Sequence, residues 1–204
     1  MAQPREIYRE RIYENQGFPE LIALIGSQPS VVLDIGCGAG ANLRLLKAQG
    51  HTAIGLTLSE AEAGIVQKQG LACRVWDITS EALPFPHESF DTLIFSHVLE
   101  HVSWPEVVLR RYCQLLKTTG KVYVALPNAM QFAQRWQFLL GRFRYTETGI
   151  MDRTHMCFFD FFTARQLLET AGLQVERHFG LGQFPMGPFR EWLPGISSKV
   201  DRWA

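Results

Sequence analysis

The chain has no excess of either charge: 20 Lys and Arg residues balance 20 Asp and Glu residues, and the formal net charge is zero. It therefore lacks the cationic field that drives binding to phosphate backbones, and nucleic acid is not an expected partner. There is no C-x-x-C pair either. Cys37, Cys73, Cys113 and Cys157 stand far apart, which excludes a zinc ribbon or thiol redox motif and makes reduced, mostly buried thiols the expectation. No apolar run reaches the roughly 20 residues that a membrane-spanning helix needs. The opening MAQPREIYRERIYENQG has no apolar core of a signal peptide, so a cytoplasmic protein without a transmembrane segment is expected. Internal repeats and low-complexity linkers are also missing. What is present is an ordinary globular composition, 204 residues with 47% hydrophobic and 20% charged, enough for one domain with appendages.

From residue 31 the pattern alternates between strand-like and helix-like segments. This predicts a three-layer, Rossmann-like, doubly wound and mostly parallel sheet with helices on both faces. VVLDIG reads as strand one, and ANLRLLKAQ as a helix stopped by Gly50. TAIGLTL is strand two; Ser59 and Glu62 then have capping-box spacing before a helix that fades at Gly70. ACRVW is strand three, ending at Asp77, and DTLIF is strand four. Pro105 suits a first helical turn, followed by an apolar stripe of Leu109, Cys113 and Leu116. KVYVAL is strand five. Thr163 is the expected cap of TARQLLETA, with Ala164, Leu167, Leu168 and Ala171 as its apolar stripe and Gly172 as its stop. LQVERHF is the expected sixth strand. Outside this alternation, residues 1–30 are expected as a helical cover over the mouth of the sheet. The main domain would span 31–182, with the aromatic and Arg-rich 129–162 as a substrate cover, and 183–204 would be an aromatic, Pro-rich tail.

The segment VVLDIGCGAGAN places Asp34, Gly36, Gly38 and Gly40 between a strand and a helix. Glycines there let the chain turn tightly and approach a ligand at the carboxyl edge of the sheet. The spacing is G-x-G-x-G rather than the dinucleotide G-x-G-x-x-G. VLDIGCGAG resembles the first motif of class I S-adenosylmethionine-dependent methyltransferases. ALPFPHESFDTLIFSHVLEHV and LRRYCQLLKTTGKVYVALPN are similar to that family's later motifs, in the same order, so the likeness spans roughly residues 30 to 175.

The resemblance implies S-adenosylmethionine as cofactor, with S-adenosylhomocysteine as product and a small molecule as methyl acceptor. Gly36, Cys37 and Gly38 would approach the methionine portion through backbone atoms, with Gly40 completing the turn, and Asp34 would orient its ammonium group. Asp77 would accept from the adenine amino group, or else cap a helix, and Ile78 would add a backbone contact. Ser96 and His97 would lie near the reactive centre. One position departs from the pattern. The family usually has an acidic residue at the end of strand two to hold the ribose hydroxyls, whereas Thr57 stands here, followed by Leu58. TLS resembles the corresponding segment of cyclopropane fatty acid synthases. Glu60 or Glu62 is the substitute acceptor, unless the capping box occupies Glu62.

His97, Glu100 and His101 also form H-x-x-E-H, a zinc peptidase spacing if carried on a helix. The motif follows directly on an apolar strand and precedes Pro105, so a short turn is expected instead, with no metal. GIMDRTHMCFFD resembles the D-R-T-H-x-x-F-F segment of a methyltransferase group found in sugar and cell-envelope contexts. His155 there is the candidate general base, with His101 as second candidate and Asp152 as its orienter; a histidine that merely fixes the loop is the rival reading. Phe158, Phe159, Phe161 and Phe162 are expected as core. A regulatory protein that binds the cofactor without turnover is the alternative to an enzyme. Gly36→Arg and Gly38→Arg are expected to abolish cofactor binding while sparing the fold.

Overall fold

The structure is a computed structural model and describes residue 12 and residues 16–181. Residues 1–11 and 13–15 of the expected N-terminal cover and all of the 183–204 tail lie outside the described residues. Two compact units divide the chain, residues 1–126 and 127–204.

The first unit is built on five parallel strands: β1 (Val31–Ile35), β2 (Thr52–Thr57), β3 (Ala72–Val75), β4 (Phe90–Ser96) and β5 (Leu116–Ala125). Their order across the sheet is β3-β2-β1-β4-β5. β1 is central and reads as a continuous apolar run because both of its faces are covered; Val32, Leu33 and Ile35 are fully buried. The chain winds outward from β1 to β2 and β3, then returns to place β4 on the other side of β1. That reversal leaves a crevice outside the carboxyl ends of β1 and β4, where open α/β sheets bind ligands.

Helix α1 (Pro19–Ala23) begins with proline, whose missing N–H costs nothing in a first turn. α2 (Ala41–Ala48) and α3 (Glu60–Lys68) follow β1 and β2. Leu21 and Ile22 of α1, Leu43 and Leu46 of α2 and Val66 of α3 form one core cluster with Val32 and Ile94 of the sheet. On the opposite face, α4 (Pro105–Tyr112) buries Val108, Leu109 and Tyr112. Phe95 of β4 meets Tyr112 edge to face at 6.1 Å. The alternation of Ile94 and Phe95 between these two layers is the period-two signature of a strand.

Some expectations need correction. α4 ends at Tyr112 and passes through a 3-10 turn, Cys113–Leu115, so Leu116 opens β5 rather than extending a helical stripe. The pairing of β4 with β5 shifts register between Phe90 and Thr92. Gly120 is required near that irregularity, since a Cβ there would lie 2.5 Å from Leu116 Cγ. Residues 173–179 form no strand, so LQVERHF is not a sixth strand among the described residues. Only Cys37 of the four free cysteines is buried; the other three are half-buried.

In the second unit the described elements are α5 (Phe132–Leu139) and α6 (Phe161–Thr170). Asp160, not Thr163, is the N-cap of α6, accepting from the backbone N–H of Phe162 and Thr163. Thr163 serves at the third helical position of a capping box. Leu167 and Ala171 are buried as the stripe predicts, and Gly172 ends the helix at φ +90°. The phenylalanine cluster divides: Phe159 is buried, whereas Phe161 and Phe162 are exposed.

Two glycines of the first unit should respond oppositely to the same change. A Cβ at Gly55 of β2 would fall 2.3 Å from Cys37 Sγ, whereas at Gly64, inside α3, it would meet nothing within 4 Å. Gly55→Ala should lose about 1–3 kcal/mol through overpacking. Gly64→Ala should gain about 0.5–1 kcal/mol from helix propensity. Denaturant melts of the two variants beside the parent check both signs.

Candidate functional site

β1 delivers Asp34 to the crevice two residues before Gly36, the start of the glycine turn. Its carboxyl is fully buried, and neither oxygen has a hydrogen-bond partner among the described residues. Burial raises its pKa to about 7; the side chain of Asn42, close by, offsets a part. A buried carboxyl without a donor is costly unless a cation or donor arrives. This orphaned acid is the feature that fits a ligand ammonium group.

The turn that follows is held from β2. Leu56 O accepts from both Gly36 N (2.9 Å) and Cys37 N (2.8 Å), and Cys37 O accepts from Gly40 N at 3.0 Å. Gly36, Gly38 and Gly40 all have positive φ, at 81°, 52° and 84°, a region that side chains disfavour. Cys37 tucks its thiol over Gly55, 3.7 Å from Cys73 Sγ. The contact with Cys73 and burial push the Cys37 thiol well above the ordinary cysteine range, while the same contact pulls Cys73 down. Cys37 is thus a packed, protonated thiol, and only its backbone is offered to the crevice. A Cβ on Gly36 would come within 2.6 Å of Val98 Cγ2. Gly36→Arg therefore disturbs the turn itself, contrary to expectation, and is no clean test of ligand binding.

At the end of β2 the structure shows an arrangement that capping logic hid. Ser59 Oγ caps α3 by accepting from Glu62 N. The Glu62 carboxylate, however, does not complete a box; it turns back to accept from Thr57 Oγ1 at 2.5 Å. Thr57 and Glu62 are both buried, so a carboxylate stands behind the threonine that occupies the usual acidic position. Leu58 is half-buried beside it. The signal was present in the sequence, since Glu62 lies five residues beyond Thr57, but the capping spacing masked it.

Asp77 lies just past β3, and its Oδ1 accepts from Thr79 N (2.8 Å) and Thr79 Oγ1 (2.6 Å). It shapes a turn, and no helix follows for it to cap. Ile78 sits inside this turn. Arg111 of α4 holds the same loop by donating to the carbonyls of Thr79 and Ser80.

Ser96 is the last residue of β4, and His97 leaves the strand with φ +54°, a left-handed conformation for a residue with a side chain. Such strain persists only when the surroundings hold it. His97 N donates to Ala125 O at 3.0 Å, and its ring lies 5.7 Å from that of Phe18. Phe18 N in turn donates to Asn42 Oδ1 at 2.9 Å. The described part of the N-terminal segment thus packs beside the mouth of the crevice, a role for Phe18 and Asn42 that the sequence did not signal. Leu99–His101 is a single 3-10 turn. His97 and His101 therefore do not share a helical face as an H-x-x-E-H peptidase requires. Glu100 is buried, with Oε1 3.5 Å from His97 Nδ1.

In the second unit, His155 Nδ1 lies 2.9 Å from Ile150 O. Because a carbonyl only accepts, Nδ1 is the donor in this contact. Asp152 is buried, and its Oδ1 accepts from Thr154 N and Thr154 Oγ1. Its backbone carbonyl accepts from His155 N, so Asp152 shapes the turn that carries the histidine.

A family model described as a methyltransferase domain matches residues 7–178. The chain belongs to the class I S-adenosylmethionine-dependent methyltransferases. It is 32% identical over 115 residues to a ubiquinone biosynthesis O-methyltransferase of Pseudomonas putida strain W619, covering 53% of this chain and 48% of that protein. It is 33% identical over 103 residues to the enzyme of that name from Pseudomonas fluorescens strain SBW25, covering 48% and 44%. The chain thus spans about half the length of the curated relatives it matches. Among solved structures, an S-adenosylmethionine-dependent methyltransferase of Thermotoga maritima aligns with TM-score 0.59 and 25% identity over 77% of this chain and 70% of that one. One from Mesorhizobium loti aligns with TM-score 0.62 and 20% identity over 90% and 92%, a likeness of fold. The cofactor of this methyltransferase fold is S-adenosylmethionine, and the orphaned Asp34 at the switch point suits its ammonium group.

The pKa of Asp34 has a sign that can be tested. The folded protein keeps this proton up to about pH 7, whereas an unfolded chain releases it near 3.8. The stabilising contribution is therefore full below the unfolded value and is lost as pH rises through the folded one. Asp34→Asn should make the ligand-free protein more stable above neutral pH, by at most about 4 kcal/mol. The advantage should vanish below the ordinary aspartate range. Denaturant melts across pH measure the difference.

Proposed function

We propose that the protein transfers the methyl group of S-adenosylmethionine to an oxygen or nitrogen of a small-molecule acceptor. The observation that carries this reading is the buried, donorless carboxyl of Asp34 beside the Gly36–Gly40 turn at the switch point of the sheet. The O-methyltransferase names of the partial relatives favour a hydroxyl acceptor. A sugar, a lipid head group or an aromatic acid remains in scope.

In this reading Asp34 holds the ammonium group, and the backbone of Gly36, Cys37 and Gly38 lines the methionine portion. Gly40 opens α2. Thr57, backed by Glu62, receives the ribose hydroxyls, since a carboxylate behind the hydroxyl restores acceptor strength that threonine alone lacks. Leu58 packs alongside. Asp77 and Ile78 present the adenine-side turn that Arg111 secures, and Ser96 and His97 border the reacting end. The bound cofactor supplies an electrophilic methyl group on a cationic sulfonium. The chain's own task is then to align the acceptor, exclude water and, for a hydroxyl, take its proton. His155 is the base in this reading, its ring held by the Nδ1 contact with Ile150 O. Asp152 positions it through the turn, and His101 is the second candidate.

Calorimetric titration with S-adenosylmethionine and S-adenosylhomocysteine should give saturable binding in the micromolar range. Below neutral pH that binding should release a proton as Asp34 ionises. Asp34→Asn should abolish the proton release and weaken binding, and Glu62→Gln should weaken binding without touching the proton release. No binding by the parent would end the proposal.

Once an acceptor is found, His155→Ala should lower kcat by about 10²–10⁴ with cofactor affinity unchanged. Unchanged turnover would return His155 to a purely structural role. Cofactor binding without turnover on any hydroxyl or amine acceptor would favour a regulatory protein instead.

A further inference from the structure

Helix α5 contradicts the rule that a globular helix buries an apolar stripe. It has an apolar face, with Phe132, Trp136 and Leu139 at i, i+4 and i+7 and Leu140 following in the same row, yet none of its residues is buried. Leu139 is 75% exposed and Trp136 53%. Phe143 and Tyr145, just beyond the helix, are exposed as well. Phe143 stacks on Phe138 at 5.6 Å and 12°, and meets Tyr145 edge to face at 5.5 Å. The segment after the helix is thereby folded back against it, and the aromatic surface is assembled before any partner arrives.

The charge of this stretch has one sign. Residues 127–146 contain no Asp or Glu but three arginines, Arg135, Arg142 and Arg144. Arg142 and Arg144 are exposed and make no ion pair among the described residues. In a chain of zero net charge, an acid-free patch of exposed aliphatic, aromatic and guanidinium groups is a local feature with its own complement.

We propose that residues 130–145 dock on an anionic lipid bilayer. Exposed leucines gain by entering hydrocarbon, and Trp136 and Tyr145 suit the boundary between hydrocarbon and head groups. Arg142 and Arg144 extend to lipid phosphates while their alkyl stems stay among apolar groups. Single-stranded nucleic acid shares the attraction to arginine and aromatic rings, but bases offer nothing to Leu139 and Leu140, the aliphatic end of the patch. The surface lies flat on the membrane, since no helix among the described residues is long and apolar enough to cross one. This inference stands apart from the methyl-transfer reading, and its test reads lipid binding alone.

The full chain is sedimented with vesicles of phosphatidylcholine and with vesicles of equal parts phosphatidylcholine and phosphatidylglycerol, at low and high salt. Binding should be confined largely to the anionic vesicles and should weaken with salt. The double variant Arg142→Gln, Arg144→Gln should bind about fivefold more weakly for each arginine removed. The double variant Leu139→Gln, Leu140→Gln should fall to background while its thermal melt matches the parent. Absence of parental binding to anionic vesicles overturns the proposal, as does binding undiminished in both variants. A parent that fails to bind vesicles but binds single-stranded nucleic acid would assign the surface to that partner. A parental dimer dissociated by the leucine variant, again without vesicle binding, would assign it to a second copy of the chain.

Discussion

An ionisable side chain sealed at the centre of a parallel sheet sets the terms for the rest of the first unit. Asp34 is the next-to-last residue of a strand whose other residues are wholly apolar, and its burial raises its pKa to about 7. A hydrophobic residue there would stabilise the ligand-free fold. A cation would complete the acid. The glycine turn bends away, its Gly36 and Cys37 N–H groups donating to Leu56 O, the thiol of Cys37 is stowed over Gly55, and α2 begins only at Ala41. In the proposed reading, stability conceded at this carboxyl is recovered on binding.

The neighbouring Thr57 and Glu62 show the same economy by another route. A carboxylate directly on the strand end would be a second buried charge a few residues from Asp34 in sheet register. Placing it on α3, with the Thr57 hydroxyl between, gives the carboxylate a donor in the ligand-free protein. A hydrogen-bonded buried acid costs far less than an orphaned one. The two acids thus differ in kind, Glu62 with a hydroxyl donor within the protein and Asp34 with no donor among the described residues.

The second unit answers to different physics. Its short elements rest on side-chain turns, with Asp160 and Thr163 opening α6 and Asp152 and Thr154 shaping the loop before His155. These polar devices fix local geometry without a large core. They leave α5 with an apolar face turned outward, a cost in water that an interface would repay.

Much of the first unit was legible in the amino-acid sequence, because strands buried on both faces read as apolar runs and helices announce themselves by Gly, Pro and Ser at their ends. The order of five parallel strands, the glycine turn and the position of Asp34 follow from such local signals, and so does family membership. Where two local readings competed, the sequence could not choose. Glu62 had capping spacing and Thr57 lacked a carboxylate, but only the packed structure put one against the other, since that contact depends on how α3 returns over β2. LQVERHF had the residues of a strand and found no pairing among the described residues, because a strand needs a neighbour and composition does not provide one. The apolar face of α5 was visible as aromatic residues and looked like a cover. That it is exposed was decided by tertiary structure alone, since burial belongs to neighbours in space rather than to neighbours in the chain.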